Sequence, residues 1–115
     1  MRKIAITAAG IAAAVLGTGV ALAPSASAAT PCPSGAVCIR ETNGTILNKN
    51  IFYSYGPHNL SNVTGNRVIV NNQTGNAGYQ VCYDYGGGRC SGVVRFHGDS
   101  APYNMTPINS VVLVK

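Results

Sequence analysis

Asn66-Arg67-Val68-Ile69-Val70 is answered further along the chain by Asn109-Ser110-Val111-Val112-Leu113, two β-branched runs that each open on an asparagine. Branching at Cβ crowds a helical turn but packs well on a pleated surface, so both runs read as strands. The correspondence extends outward from them. Val37-Cys38-Ile39 matches Val81-Cys82-Tyr83, Tyr53 matches Phe96, Gly56 matches Gly98, and Asn59-Leu60-Ser61 matches Asn104-Met105-Thr106, at offsets of 42 to 45 residues throughout. A sequence that repeats at such a period builds one supersecondary unit twice. Each copy carries an opening strand, an aromatic followed by glycine, and a closing β-branched strand, which predicts paired Greek keys in a sandwich. The aromatic is expected to fold over its own hairpin, with the glycine supplying the positive φ of a tight reversal.

Between these matches, short β-branched and aromatic runs alternate with Gly, Asn, Pro and Ser, and no stretch after the first 28 residues shows the apolar spacing of an amphipathic helix. The fold class is therefore all-β. Strands are predicted at 37–41, 51–55, 67–70, 80–85, 93–96 and 111–114. Turns are predicted at Asn43-Gly44, Gly56-Pro57, Thr74-Gly75-Asn76, Gly86-Gly87-Gly88 and Gly98-Asp99. Period-two alternation selects Ile39, Phe52, Val68, Val70, Val81, Val94, Phe96, Val112 and Val114 as core candidates.

The chain opens on Met1-Arg2-Lys3, continues through an apolar, Ala-rich stretch from Ile4 to Ala23, and reaches Pro24-Ser25-Ala26-Ser27-Ala28. A cationic start, an apolar run and small residues at 26 and 28 are the marks of a secretory signal peptide cleaved after Ala28. Residues 1–28 are thus expected to leave, and 29–115 to form a single secreted, extracellular domain with no membrane contact after cleavage. Its core is small enough that staples help. Cys32, Cys38, Cys82 and Cys90 all lie within it, and an even count in an exported chain reads as two disulfides, for which four cysteines allow three connectivities. Zinc is disfavoured because the cysteines do not form the close pairs its sites use.

Six basic side chains, Arg40, Lys49, Arg67, Arg89, Arg95 and Lys115, stand against Glu41, Asp84 and Asp99 in residues 29–115, a net of +3. They are scattered singly, unlike the clustered footprint of phosphate-backbone binding, so nucleic acid is not an expected partner.

Cys32-Pro33-Ser34-Gly35-Ala36-Val37-Cys38, then Asn59-Leu60-Ser61 and Val70-Asn71-Asn72, then Val81-Cys82-Tyr83 resemble the actinobacterial secreted proteins grouped with the metalloproteinase inhibitor of βγ-crystallin type. The resemblance spans nearly all of 29–115. It implies a βγ-crystallin-like double Greek-key sandwich, disulfides Cys32 to Cys38 and Cys82 to Cys90, and an exposed loop beside a disulfide that occupies a metalloproteinase cleft. The corresponding loop comprises Cys82, Tyr83, Asp84, Tyr85, Gly86, Gly87, Gly88, Arg89 and Cys90, with the reactive bond carried over to Cys82-Tyr83. A disulfide across a short loop lowers the entropy lost on binding, and tyrosines give apolar area with a polar tip. The loop departs from that inhibitor in its length and in three consecutive glycines, which are expected to loosen it. Crystallin-type calcium sites need carboxylates that 62–67 and 105–110 lack, so no metal and no cofactor is expected.

No nucleophile with its base, and no carboxylate pair, can be assembled from His58, His97, Glu41, Asp84 and Asp99 by sequence pattern, so the chain is not expected to be an enzyme. The pair His97 and Asp99 reads as a solvated turn. Asn-x-Ser/Thr triplets at Asn43, Asn59, Asn62, Asn72 and Asn104 are ascribed to turn composition, because the resemblance implies a bacterial source. The expected function is that of a monomeric, secreted peptidase inhibitor directed at an extracellular metalloprotease. An antimicrobial, killer-toxin-like or envelope-binding protein is the alternative, followed by a structural extracellular one.

Overall fold

The computed structural model describes residues 29–115; the signal peptide read from 1–28 lies outside the described residues. Within 29–115 the protein is all-β, and no helix there is long and apolar enough to cross a membrane. Eight strands follow in chain order: β1 (Ala36–Arg40), β2 (Ile46–Phe52), β3 (Gly56–Asn59), β4 (Asn66–Asn72), β5 (Gly78–Cys82), β6 (Gly98–Asp99), β7 (Tyr103–Asn104) and β8 (Ser110–Val114).

They form two antiparallel sheets. One runs β2-β1-β4-β6, with β7 also on β4, and the other runs β3-β8-β5. Beyond β5 the second sheet gains a bridge from Tyr79 to Val94, fixed by amide-to-carbonyl bonds of 3.0 and 2.8 Å. The order carries the sequence repeat into three dimensions. In the first half β1 pairs β4, with Cys38 opposite Val70; in the second β5 pairs β8, with Val81 opposite Val111. The third strand of each half crosses over: β3 pairs the closing strand of the second half, Gly56 opposite Leu113, and β6 pairs that of the first, Val70 opposite Asp99. Gly56 and Gly98, matched in sequence, open these crossing strands with φ of +103° and +122°. Only glycine adopts such backbone readily.

The core lies between the sheets. Val37, Ile39, Phe52 and Ile69 from the first sheet meet Tyr79, Val81, Val111 and Leu113 from the second. Leu60, Val63, Met105 and Ile108 close the ends from the connections before β4 and β8, again in matched pairs. A second, smaller cluster sits on the far face of the first sheet, where the Cys32 to Cys38 disulfide brings the N-terminal segment against Ala36, Ile46 and Val70.

Several expectations need correcting. Strand 51–55 is displaced: β2 ends at Phe52, and Tyr53 and Tyr55 are exposed in the bend that follows. Residues 83–85 leave β5 for a loop. The stretch 93–96 makes only the Val94 bridge; Val94 and Phe96 are exposed rather than core. Gly56-Pro57 and Gly98-Asp99 are not turns but short crossing strands, and β3 tolerates Pro57 because it lies at a sheet edge. Val111 and Leu113 are buried, whereas Val112 and Val114 are half-buried. Val70 is buried in the outer cluster, with Val68 packed against it. The ring of Phe96 does lie over Gly98, 3.3 Å from where a Cβ would stand, but Gly56 has no neighbour within 4 Å of that position, so Tyr53 does not repeat the contact. Phe52 stacks instead on His58 at 4.9 Å.

Candidate functional site

Cys82 ends β5 and Cys90 faces it across the loop, where the two half-cystines are bonded and paired as a bridge. Inside this closure the Tyr83 amide donates to the Arg89 carbonyl at 3.1 Å and the Asp84 amide to the Gly88 carbonyl at 3.1 Å. The loop is therefore a hairpin whose tip is the glycine run.

Each glycine has a local reason. Gly86 and Gly87 lie at φ of +74° and +87°, in the left-handed region, and a Cβ on Gly88 would stand 2.9 Å from the Asp84 carboxylate. Their amides are not free. Gly86 N–H donates to Asn59 Oδ1 at 2.7 Å, and Gly87 N–H donates to Ser110 Oγ at 3.1 Å. The Ser110 hydroxyl in turn donates to the Asp84 carbonyl at 2.6 Å. Asn109 holds the other limb, its Nδ2 donating to the Tyr83 carbonyl at 2.8 Å and its amide to the Cys82 carbonyl at 2.9 Å. The tip expected to be loosened by three glycines is thus bonded to β3 and β8.

Arg89 spans the hairpin. Its Nε donates to both Asp84 carboxylate oxygens, at 3.0 and 3.1 Å, and its Nη2 reaches Oδ1 at 2.7 Å. This forked contact holds the Asp84 carboxyl below the usual aspartate range and pushes the guanidinium further up. The guanidinium also lies 5.5 Å from the centre of the Tyr83 ring, within cation–π reach. Arg89 is itself in the left-handed region, at φ +51°, a conformation that costs a non-glycine residue about 1 kcal/mol or more. The carboxylate and the Tyr83 amide together hold it there.

The residues named from sequence therefore come together, though in different settings. Tyr83, Tyr85 and Arg89 are exposed, Asp84 is half-buried, and Cys82 is fully buried. The peptide between Cys82 and Tyr83 has its carbonyl bonded to Asn109 and its amide bonded to Arg89, so what the loop offers outward is side chain, not that bond. Asn59, Asn109 and Ser110 are visible in sequence as members of the repeat, and Asn59 also in the resemblance and in an Asn-x-Ser triplet. Nothing local marks them as loop anchors, because the crossing of β3 and β8 beside β5 brings them there.

Of the other candidate groups, His58, Asp99 and Glu41 are engaged in structural contacts. His58 Nε2 meets the Ser54 carbonyl at 2.7 Å. Asp99 pairs with Arg40 at 2.7 Å rather than with His97, and Glu41 pairs with Arg67 at 3.3 Å. Among the described residues no three His, Cys, Asp or Glu side chains converge. Comparison of the chain with protein-family models, with curated proteins and with solved structures finds no match.

Proposed function

We propose that this protein is a secreted, inhibitor-like binding protein of βγ-crystallin type that engages an extracellular metalloproteinase through the 82–90 loop. The fold assignment is supported by the exchange of third strands between halves that repeat in sequence, the arrangement of two interlocked Greek keys. Export is supported by two disulfides, which persist in oxidising surroundings.

The observation that carries the binding role is the loop's pre-organisation. A disulfide, two cross-hairpin amide bonds and the anchors Asn59, Asn109 and Ser110 fix the backbone, while Tyr83 and Tyr85 project with half or more of their surface exposed. A surface that is already ordered loses little entropy on docking, and tyrosines supply contact area with few torsions to freeze. Contact is made by these side chains and Arg89, with the hydrogen-bonded Cys82 to Tyr83 peptide serving as the base of the loop rather than as a bond offered for cleavage.

The test is titration of the oxidised protein into a thermolysin-like metalloproteinase, following residual activity, then repetition with Tyr83→Ala and Tyr85→Ala. Stoichiometric loss of activity, weakened by either substitution, supports the proposal. Full protease activity in large molar excess of the protein overturns it and turns attention to envelope binding. That alternative has less support from charge, because Glu41, Asp84 and Asp99 each neutralise an arginine and leave Lys49, Arg95 and Lys115 dispersed.

A further inference from the structure

A cleft of about 510 Å³ opens beside β1 and the start of β4, away from the 82–90 loop and sharing no residue with it. Its size is in the range of small-molecule pockets, roughly 300–1,000 Å³. Two arginines line it, Arg40 and Arg67, with side chains only 14% and 16% exposed. Val68 and Pro102 supply apolar wall, and Glu41 and Asp99 face the arginines.

The two guanidiniums are incompletely partnered. Arg40 bonds Asp99 through Nη1 and the Thr30 carbonyl through Nη2; Arg67 bonds the Asn66 carbonyl through Nη1 and approaches Glu41 through Nη2. In both, Nε is buried without a hydrogen-bond partner among the described residues. Arg89 shows the contrast, with its Nε and Nη2 edge closed on one carboxylate. A guanidinium has five N–H donors, so Arg40 and Arg67 each keep donors at Nη unspent, in a setting where water is partly excluded and a charge-assisted bond is strong.

We infer that this cleft is a binding site for a small organic monocarboxylate, anchored on the Nη groups of Arg40 and Arg67 with its apolar part against Val68 and Pro102. The sign and number of charges choose the class. Two positive and two negative side chains sum to zero at the cleft, and the α-amino group that cleavage after Ala28 leaves on Ala29, at its edge, adds one positive charge, which a monoanion balances and a polyanion exceeds. A phosphate dianion would bring its second charge against Glu41 and Asp99, whereas a single carboxylate matches the planar fork of an arginine.

The experiment follows amide chemical shifts of the purified, oxidised protein during titration with N-acetylalanine, with its neutral C-terminal amide, and with inorganic phosphate. The expected result is a saturable shift at Gly44, Asn66 and Asp99 with N-acetylalanine alone, at a Kd on the order of 1 mM. Arg67→Gln is expected to weaken that binding about tenfold or more, the effect of losing a charged hydrogen-bond partner. Glu41→Gln, which removes the competing carboxylate, is expected to tighten it, and retained dispersion of the other amides shows that each variant is folded. Equal shifts with the neutral amide, stronger binding of phosphate, no saturable shift, or weakening by Glu41→Gln would each overturn the inference.

Discussion

The Ser110 hydroxyl donates to the carbonyl oxygen of Asp84 at 2.6 Å while accepting the amide of Gly87, so one buried side chain on β8 holds both sides of the loop tip. Ser110→Ala leaves two backbone groups without their partner. A loss of about 1–3 kcal/mol is expected, the range for unsatisfied buried polar groups. Urea denaturation measures it, and faster hydrogen exchange at Gly87 should accompany it; unchanged exchange there would mean that the serine does not hold the loop.

Gly86 and Gly87 differ in a way that substitution separates. A Cβ on Gly86 meets nothing within 4 Å, so Gly86→Ala bears only the left-handed backbone, about 1–2 kcal/mol. On Gly87 it would lie 3.0 Å from Val112 Cγ2 and 3.3 Å from Pro57 Cβ. Gly87→Ala should therefore cost about 1–3 kcal/mol more, as overpacking does. Thermal unfolding of the two variants side by side decides the order.

Arg89 holds the Asp84 carboxyl below its ordinary value, and the unfolded chain restores it to about 3.9. Between the folded and unfolded values the unfolded chain binds more protons, so stability falls as pH falls through that window. The contribution of this exposed pair is thus present above about pH 4 and is lost progressively as pH falls from there through the lower folded value. Carbon-detected NMR titration should find the depressed carboxyl, and Arg89→Gln should move it upward. An Asp84 that titrates like a free aspartate would show that the ion pair does not persist in solution.

Closing loops of similar length, the two disulfides should stabilise the protein alike, by about 2–3 kcal/mol each on the chain-entropy account. Their functional weights should differ. On the proposed inhibitor function, Cys82→Ala with Cys90→Ala is expected to weaken protease inhibition sharply, whereas Cys32→Ala with Cys38→Ala should leave it near the parent value in protein that remains folded. Equal loss of inhibition in both would mean that stability, not loop geometry, is what binding requires.

How much of this was legible in the residues varies by element. The repeat placed β1, β4, β5 and β8 and gave Gly56 and Gly98 their positive φ, but the same glycines read as turns rather than as the first residues of β3 and β6. Facing was harder to read. Val111-Val112-Leu113-Val114 is apolar on both sides of the strand, so alternation carries no signal, and a slip of one residue exchanges the buried and half-buried sets. Period-two alternation puts Phe96 in the core, but its ring covers Gly98 from outside. The loop itself is marked by the resemblance, which sets its bounds at Cys82 and Cys90. Asn59, Asn109 and Ser110 are not marked as its anchors, since their role arises from strands brought together by long-range pairing. The same holds for Asn71, buried in β4, whose Nδ2 bonds the carbonyls of Ala77 and Phe96 and whose Oδ1 receives Gln73.

The crossing of β3 and β6 makes each half of the chain an incomplete object. A nick at Thr74-Gly75-Asn76, in the exposed turn between the halves, would separate two fragments whose missing edge positions are filled only by each other. Such fragments should remain disordered apart and reassemble on mixing into a noncovalent complex, because no disulfide joins them. The protein is in this sense a split reporter by construction, whose two parts signal their encounter by folding.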